Sequence, residues 1–384
     1  MRETAAAIPV SDSGLRVWVI TRYNDIQQIL NGRKFVKDVV PAGMKLVLEN
    51  TTRSGKTPQF TPTIRRGMLD RDGQDHRRLR ALLAPYLNRD AVASLLPRMA
   101  AQTASMVDRI PAGKPMDILG DFARPLIAAF TAEWLGIPDN YATLFAIWEN
   151  HLVTGGSANE IRAAEVELHK FSLEMMELKR REPADDLYTT LVRTHDDDST
   201  LLDENELLST LILLAVAGAG TAAALANCLF LLASHQDQLN LLRNNPNLLD
   251  SALEECMRLE SAFRILSPRY TNDPVELDGV VLPPRSLLVC AVGAANRDPE
   301  NFPNPDEFDI TRRSNRHLSF SYGPHSCLGG GLARMEIKAA VRALLDRFSG
   351  IRLAARPEDL VWRPGLYARR LDTLPVLLTR GSVH

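Results

Sequence analysis

The chain has 384 residues, of which 45% are hydrophobic and 24% charged, a composition that excludes wholesale disorder. Lysine and arginine total 45 and aspartate and glutamate 47, so no strong net charge would attract nucleic acid or an anionic membrane. The four cysteines stand apart without a CxxC pair, which argues against a disulfide framework and against a structural zinc site. The first residues lack the apolar core of a signal peptide, and we therefore expect a cytoplasmic protein.

The predicted elements begin with an extended stretch at 16–20, followed by a helix that Asn24 would cap. The segment 39–66 is polar and rich in proline and glycine, which predicts a long loop of the kind that often covers a substrate. Helical patterns then dominate until two short strands appear on either side of an Asp278-Gly279 turn. We expect one continuous domain, 1–384, that is mainly α with a smaller β-rich part. The helical regions are about 75–262 and 327–350, and the β-rich regions are about 14–40, 265–292 and 351–380.

One predicted helix is long enough to span a membrane. From Leu207 to Gln236 the chain contains no Asp, Glu, Lys or Arg. Acidic residues flank this segment on both sides, no basic residues orient it, and no Trp or Tyr belt marks its ends. We therefore expect a helix that is buried on all faces, while a membrane-anchored binding protein is the alternative.

The sharpest local motif surrounds Cys327, in the glycine-rich run FSYGPHSCLGGG that precedes a predicted helix. A helix N-terminus lowers the pKa of a nearby thiol, and glycines let the backbone approach a flat ligand closely. A lone cysteine of this kind is nevertheless most often a buried core residue, so the motif needs support from other parts of the chain.

Two pairs of charged residues give that support. Glu255 and Arg258 are three residues apart on one predicted helix, and they can form an ion pair. His76 and Arg80 are four residues apart on another helix, where two cations on one face suit a dicarboxylate or a phosphate. Each pair taken alone is equally typical of charged side chains on the solvent-exposed surface of a helix.

Taken in this order, these residues resemble the cytochrome P-450 superfamily, specifically its soluble bacterial, ferredoxin-dependent members. The cysteine motif fits Phe-x-x-Gly-x-His-x-Cys-x-Gly, with Phe320 first and Gly329 last, and Glu255 and Arg258 fit the Glu-x-x-Arg motif of the family. The resemblance covers nearly the whole chain. It implies the cytochrome P-450 fold and a haem b whose iron takes Cys327 as its axial thiolate ligand.

The resemblance also implies roles for residues outside the motifs. Arg312 would join Glu255 and Arg258 in a buried structural triad that supports the cysteine loop. The residues that would contact the haem are His76, Arg80, Arg269 and His325 at the propionates, together with Phe320, Gly329 and Ala217.

The charge-free helix resembles the long central helix of the family, with Ala217-Gly218-Ala219-Gly220-Thr221 in place of Ala-Gly-x-Asp/Glu-Thr. We expect Gly218, Gly220 and Thr221 to be catalytic. An interior glycine costs a helix about 1 kcal/mol relative to alanine, and close approach to the haem would explain both glycines.

Gly220 replaces the acid that is thought to help relay protons at the oxygen site. Three outcomes remain open: monooxygenation with waters or a substrate hydroxyl replacing the acid, oxidative coupling without oxygen insertion, and peroxide-dependent chemistry. A catalytically silent haem-binding helper is a further alternative.

Substrate and partners follow from the resemblance only in outline. The substrate would be a small organic molecule of secondary metabolism or a peptide, possibly bound to a carrier. The sequence lacks a dinucleotide fingerprint and an iron–sulfur cysteine set, so a ferredoxin and its reductase would supply electrons, with Arg77 and Arg78 as docking contacts. No nucleic-acid or membrane partner is expected. The pocket would include the 39–66 loop and Leu214, Ala217, Ile265, Leu266 and Tyr367.

Overall fold

The computed structural model describes residues 7–12, 15–37, 66–138, 141, 158–363 and 367–380. Helices make up most of this part of the chain, as the sequence predicts. The expected 39–66 loop lies outside the described residues apart from Arg66. The helices are α1 (Tyr23–Asn31), α2 (Gly73–Leu87), α3 (Arg89–Asp108), α4 (Arg124–Leu135), α5 (Ala158–Arg181), α6 (Leu187–Asp197), α7 (Glu204–Ser234), α8 (Gln236–Asn244), α9 (Leu249–Leu259), α10 (Val292–Ala295) and α11 (Gly330–Arg347).

The strands of the described residues form three small sheets. The largest has the order β1-β2-β8-β5-β3, the second β4-β10-β9, and the third is the β6-β7 hairpin. The strands are β1 (Ala7–Asp12), β2 (Leu15–Ile20), β3 (Phe35–Val36), β4 (Pro115–Asp117), β5 (Arg269–Thr271), β6 (Val275–Leu277), β7 (Val280–Leu282), β8 (Leu287–Cys290), β9 (Gly350–Leu353) and β10 (Pro375–Thr379).

Helix α7 is the centre of the fold. A capping box fixes its start, because the Asp203 side chain accepts from the Glu206 backbone and Glu206 reaches back in return. The helix is long and apolar enough to cross a membrane, but 61% of its most apolar window is buried inside the protein. The expectation of a buried core helix is therefore confirmed. Its apolar side chains share one core with α11, through Leu225, Leu229, Leu232, Ile337, Val341 and Leu344.

Two local expectations have different outcomes. The β6-β7 hairpin is confirmed, and its turn residues Asp278 and Gly279 have φ values of 46° and 78°, as a tight hairpin turn requires. The expected cap of α1 is wrong, since Asn24 lies inside a helix that begins at Tyr23. The backbone N–H of Tyr23 instead donates to Asp298 Oδ2 at 2.9 Å, so a residue far along the chain supplies the capping acceptor.

Candidate active site

The cysteine loop closes on itself directly before α11. The backbone N–H of Cys327 donates to the carbonyl oxygen of Phe320 at 2.8 Å. Gly323 has a φ of +70°, and a Cβ there would lie 2.8 Å from the carbonyl oxygen of Leu30, so only glycine lets the loop rest against α1. Ser321 also adopts a positive φ, +64°, at a position where the family often has glycine.

Cys327 is an exposed residue, yet neighbouring protein atoms enclose its thiol enough to desolvate it. This enclosure raises the pKa of the thiol, whereas the backbone N–H of Gly329 and the charges of Arg80 and Arg334 lower it. The N–H and the two cations favour the thiolate, which is the form of cysteine that binds a metal.

Three of the four residues expected at the haem propionates come together near this loop. The rings of His76 and His325 have centroids 4.0 Å apart, and Nε2 of His325 lies 3.1 Å from Asp72 Oδ1. Arg269 is only 3% exposed, and its Nε and Nη1 atoms have no hydrogen-bond partner within the described part of the chain. Its charge acts on both imidazoles.

The fourth, Arg80, binds the loop itself. Its Nη1 donates to the carbonyl oxygen of Ser326 at 2.8 Å. It therefore lies next to Cys327, and its charge adds to burial in lowering the pKa of His76.

Positive groups in this cluster exceed the carboxylates that they contact. Burial lowers the pKa of Arg269, and it lowers the pKa of His325 to about 4 although the hydrogen bond to Asp72 acts in the opposite direction. A buried guanidinium with free N–H groups beside two imidazoles is a donor set suited to a dicarboxylate. The residues present therefore fit a haem: this cluster would bind its propionates, and Cys327 would be the ligand of its iron.

The sequence interpretation missed Lys37, which belongs to the same cluster. It follows β3, it is 5% exposed, and its charge acts on Arg269, His76 and His325. Burial and the neighbouring Arg269 lower the pKa of Lys37 to about 7. No local pattern distinguishes this lysine from a surface lysine, so only the tertiary structure identifies it.

The two glycines of the central helix pack against protein side chains. A Cβ at Gly218 would lie 2.7 Å from Thr131 Oγ1 and 3.3 Å from a methyl of Ile127, both on α4. A Cβ at Gly220 would lie 2.8 Å from Cε2 of Phe263. Packing against α4 therefore accounts for Gly218 and an aromatic ring accounts for Gly220, while the expected close approach of both glycines to the haem stays a prediction. Neither glycine carries a group that could do chemistry.

Thr221 on α7 and Glu336 on α11 are close enough for the Thr221 side chain to act on the pKa of the Glu336 carboxyl. Both residues are buried, and burial raises the pKa of Glu336 to about 8 although Thr221 acts in the opposite direction. The sequence interpretation missed this acid as well. The signal was present, because Glu336 stands on the helix face of Ala333 and Ala340, which the apolar pattern assigns to the core.

The expected triad is formed. Glu255 and Arg258 are fully buried, with Arg258 Nε 2.7 Å from Glu255 Oε2, and Arg312 Nε approaches the same oxygen at 3.1 Å. Arg258 also donates to three carbonyl oxygens of the segment 296–307. The triad therefore fixes the irregular segment that leads to the cysteine loop.

Asn296 continues this connection to the loop. Its side chain accepts from the backbone N–H of Leu318 at 2.7 Å and donates to Ser319 Oγ at 2.9 Å. Ser319 in turn donates to the carbonyl oxygen of Met257 on α9. The helix that carries Glu255 and Arg258 thus also holds the residues immediately before Phe320.

The expected pocket residues are not all brought to one surface. Leu214 is packed in the core with side chains of α5 and α6, so it is not open to a ligand. Ile265 and Leu266 are half-buried, and Leu266 packs on the core beneath the large sheet. Ala217 is exposed, and Tyr367, which is 38% exposed, accepts the backbone N–H of Arg264 at its carbonyl oxygen.

The two arginines expected to dock a ferredoxin differ. Arg78 donates through Nη2 to Glu206 Oε1 at 2.5 Å and through Nη1 to Oε2 at 3.0 Å, so it anchors the start of α7. Arg77 is exposed. Only Arg77 is free to meet a partner protein, because Arg78 already has a forked, partly buried ion pair.

Comparisons with known proteins agree with this geometry. Residues 126–353 match the family model described as cytochrome P450. Cytochrome P450 107B1 of Saccharopolyspora erythraea is 38% identical over 98% of this chain and 93% of its own, and 6-deoxyerythronolide B hydroxylase of the same organism is 34% identical over 98% and 94%. The solved structure of the tirandamycin C-bound P450 monooxygenase TamI superimposes with a TM-score of 0.91 at 32% identity, covering 98% of this chain and 95% of that one.

Both relatives align over nearly their full length, and the structural match extends over the same range. Members of this family carry haem b with an axial cysteine thiolate, and bacterial members generally receive electrons from redox partner proteins. The chain belongs to the cytochrome P450 family, in its soluble bacterial type, and it is a haem-thiolate monooxygenase of natural-product metabolism.

Proposed function

We propose that the chain is a cytoplasmic monooxygenase that oxidises a mainly apolar, polyketide-type natural product, with Cys327 as the axial ligand of its haem. The observation that carries the assignment of the site is Arg269, a buried guanidinium with unsatisfied N–H groups close to the cysteine loop. The substrate class rests on relatives whose names refer to 6-deoxyerythronolide B and to tirandamycin C.

The residues of this chain have separate tasks in the proposal. Arg269, His76, Arg80 and His325 hold the two propionates, and the start of α11 stabilises the Cys327 thiolate. The bound haem supplies the activation of molecular oxygen. The triad of Glu255, Arg258 and Arg312 keeps the cysteine loop in place and takes no part in turnover.

Glu336 and Thr221 supply the proton path in the proposal. With a pKa of about 8, the Glu336 carboxyl keeps its proton at neutral pH, and its proximity to Thr221 lets that proton pass to the hydroxyl. Thr221 then offers its own hydroxyl proton for the reaction. Glu336 thus takes the place of the acid that Gly220 lacks.

Electrons reach the site from a ferredoxin and its reductase. Arg77 is the docking contact that the geometry favours, since it is exposed on α2, the helix that also carries His76 and Arg80. An exposed cation there would guide an acidic partner by long-range attraction.

Spin-state titration of the ferric holoprotein tests the substrate class. The panel contains macrolactone polyketides, fatty acids, terpenes, aromatic amino acids and short peptides, and a bound substrate shifts the haem spectrum by displacing water. We expect a saturable shift with a polyketide. A saturable shift with another class alone would contradict the proposal. Cys327→Ala is the control for the haem ligand, because it should abolish the red-shifted band of the reduced, CO-bound protein.

Oxidative coupling is the second candidate, and Gly220 is the observation that favours it. Without an acid at this helix position, proton delivery is more indirect, and hydrogen abstraction without oxygen insertion becomes competitive. Turnover under isotopically labelled oxygen separates the two candidates. Labelled oxygen in the product supports insertion, whereas a product that has lost two hydrogens and gained no label supports coupling.

A further inference from the structure

Gly220 and Phe263 are in contact across the interior face of α7. A Cβ at position 220 would lie 2.8 Å from Cε2 and 3.4 Å from Cζ of the Phe263 ring. The first distance is shorter than real Cβ contacts, so any side chain at 220 requires the ring to move.

The backbone of Phe263 has little freedom to retreat. Its carbonyl oxygen accepts from Ser261 Oγ at 2.8 Å, and Phe263 forms an antiparallel bridge with Ala368. The neighbouring Ala262 accepts from the backbone N–H of Arg369 at 2.8 Å. The segment is therefore held on both sides of the ring.

Asn227 ties this segment to α7 itself. Its side-chain amide donates to the carbonyl oxygens of Glu260 at 3.0 Å and Arg369 at 3.1 Å. Asn227 is fully buried and lies seven residues, or two helical turns, after Gly220, which places both on one helix face. The hydrogen bonds of Asn227 thus hold the segment that carries Phe263 against the helix face that carries Gly220, and they set the distance between these two residues.

Thr221 faces a different neighbour, because consecutive helical residues point about 100° apart. Gly220 meets the ring of Phe263, whereas Thr221 lies close to the carboxyl of Glu336 on α11. Helix α7 therefore meets an aromatic ring at the position where the family has a carboxylate, and a carboxyl group at the next residue.

We propose that Phe263 is a positioning residue that excludes a carboxylate from position 220 and thereby leaves Glu336 as the acid that serves Thr221. The part concerning Glu336 rests on the proposed function, whereas the exclusion itself rests on packing alone. A variant in which a small side chain replaces the Phe263 ring would accept an acid at position 220. Its proton delivery would then depend less on Glu336.

Melting temperatures of the ferric holoprotein test the packing claim without turnover. Gly220→Ala should lower the melting temperature by about 2–5 °C, as overpacking does, although alanine normally favours a helix. Gly331→Ala is the matched control, because Gly331 is also helical and a Cβ there meets nothing within 4 Å. It should leave the melting temperature unchanged or raise it. A Gly220→Ala protein that melts like the control would overturn the proposal.

A double-mutant cycle tests whether Phe263 is the cause. Gly220→Asp and Phe263→Ala should each lower the melting temperature, and the double variant should melt no lower than Phe263→Ala alone. Phe230→Ala is the control partner, since Phe230 lies on α7 against Trp362. The effects of Phe230→Ala and Gly220→Asp on the melting temperature should be additive. Equal additivity in both pairs would refute the assignment to Phe263.

Turnover tests the functional half, with O-dealkylation of 7-ethoxycoumarin per NADPH consumed as the probe. Glu336→Gln should lower the amount of product formed per NADPH about tenfold or more in the natural background, and less than about threefold in the Phe263→Ala/Gly220→Asp background. Equal losses in both backgrounds would overturn the proposal. If Glu336→Gln has no effect in the natural background, the proposed proton path fails, and the melting temperatures still decide the role of Phe263.

Discussion

Thr221 and Glu336 stand on different helices, and their side chains lie close together where α7 and α11 meet in the protein interior. The carboxyl group is buried, and burial raises its pKa to about 8. An acid of this kind is neutral in the folded protein at a pH where the unfolded chain would ionise it.

This difference predicts how stability changes with pH. The folded protein keeps the Glu336 proton between about pH 4.5 and pH 8, whereas the unfolded chain releases it, so in this window Glu336 lowers the free energy of unfolding as pH rises. The loss is about 1.4 kcal/mol per pH unit at most. Glu336→Gln should remove this slope, and melting temperatures from pH 5 to pH 8 measure it. Parallel curves for the two proteins would contradict the assignment.

Lys37 should contribute to haem retention. Replacing it by methionine keeps an unbranched side chain and removes the charge beside Arg269 and the two histidines, so haem should leave faster. Transfer of haem to apomyoglobin should accelerate about threefold to tenfold, equivalent to roughly 0.7–1.4 kcal/mol. Lys338→Met is the control, because Lys338 is an exposed residue of α11 paired with Asp250. Identical transfer rates for the two variants would refute the role of Lys37.

Ser321→Gly should stabilise the protein. Ser321 has a φ of +64°, which strains a residue with a Cβ and costs glycine little. We expect a gain of roughly 0.5–1 kcal/mol in the free energy of unfolding, after the greater freedom of glycine in the unfolded chain is counted. Ser326 lies in the same loop with a φ of −55°, and Ser326→Gly should bring no gain. Chemical denaturation of the holoprotein distinguishes the two, and a loss of stability in Ser321→Gly would contradict the prediction.

Reversal of charge at Arg77 and Arg78 should separate docking from stability. Arg77→Glu should slow reduction of the haem by ferredoxin at low salt and leave the melting temperature unchanged, because Arg77 is exposed. Arg78→Glu should lower the melting temperature, since it places a carboxylate against the buried Glu206. Stopped-flow reduction and thermal melts measure the two effects. Unchanged reduction kinetics in Arg77→Glu would exclude this docking contact.

Local sequence patterns were enough to predict the parts of the site that lie close together in the chain. The Cys327 loop, the Glu255–Arg258 pair and the long apolar helix each carry their signal within a short window. The structure forms the pair and the helix as expected.

The features that were missed depend on contacts between distant segments. The need for glycine at 218 comes from Thr131, and the need at 220 comes from Phe263, so neither is visible in the helix itself. The same holds for the first helix, whose capping acceptor is Asp298 and not the adjacent Asn24. A residue pattern reports the face that a helix buries, but not the side chain that it will meet.

Helix α1 has a consequence for the order in which the chain can fold during synthesis. The Tyr23 hydroxyl donates to the carbonyl oxygen of Arg316, 293 residues later, and the loop at Gly323 rests against the end of the same helix. A ribosome therefore releases this helix long before the residues that hold it have been made. A nascent chain arrested before Arg316 would leave α1 without these contacts, so the first helix can reach its final contacts only when most of the chain has been made.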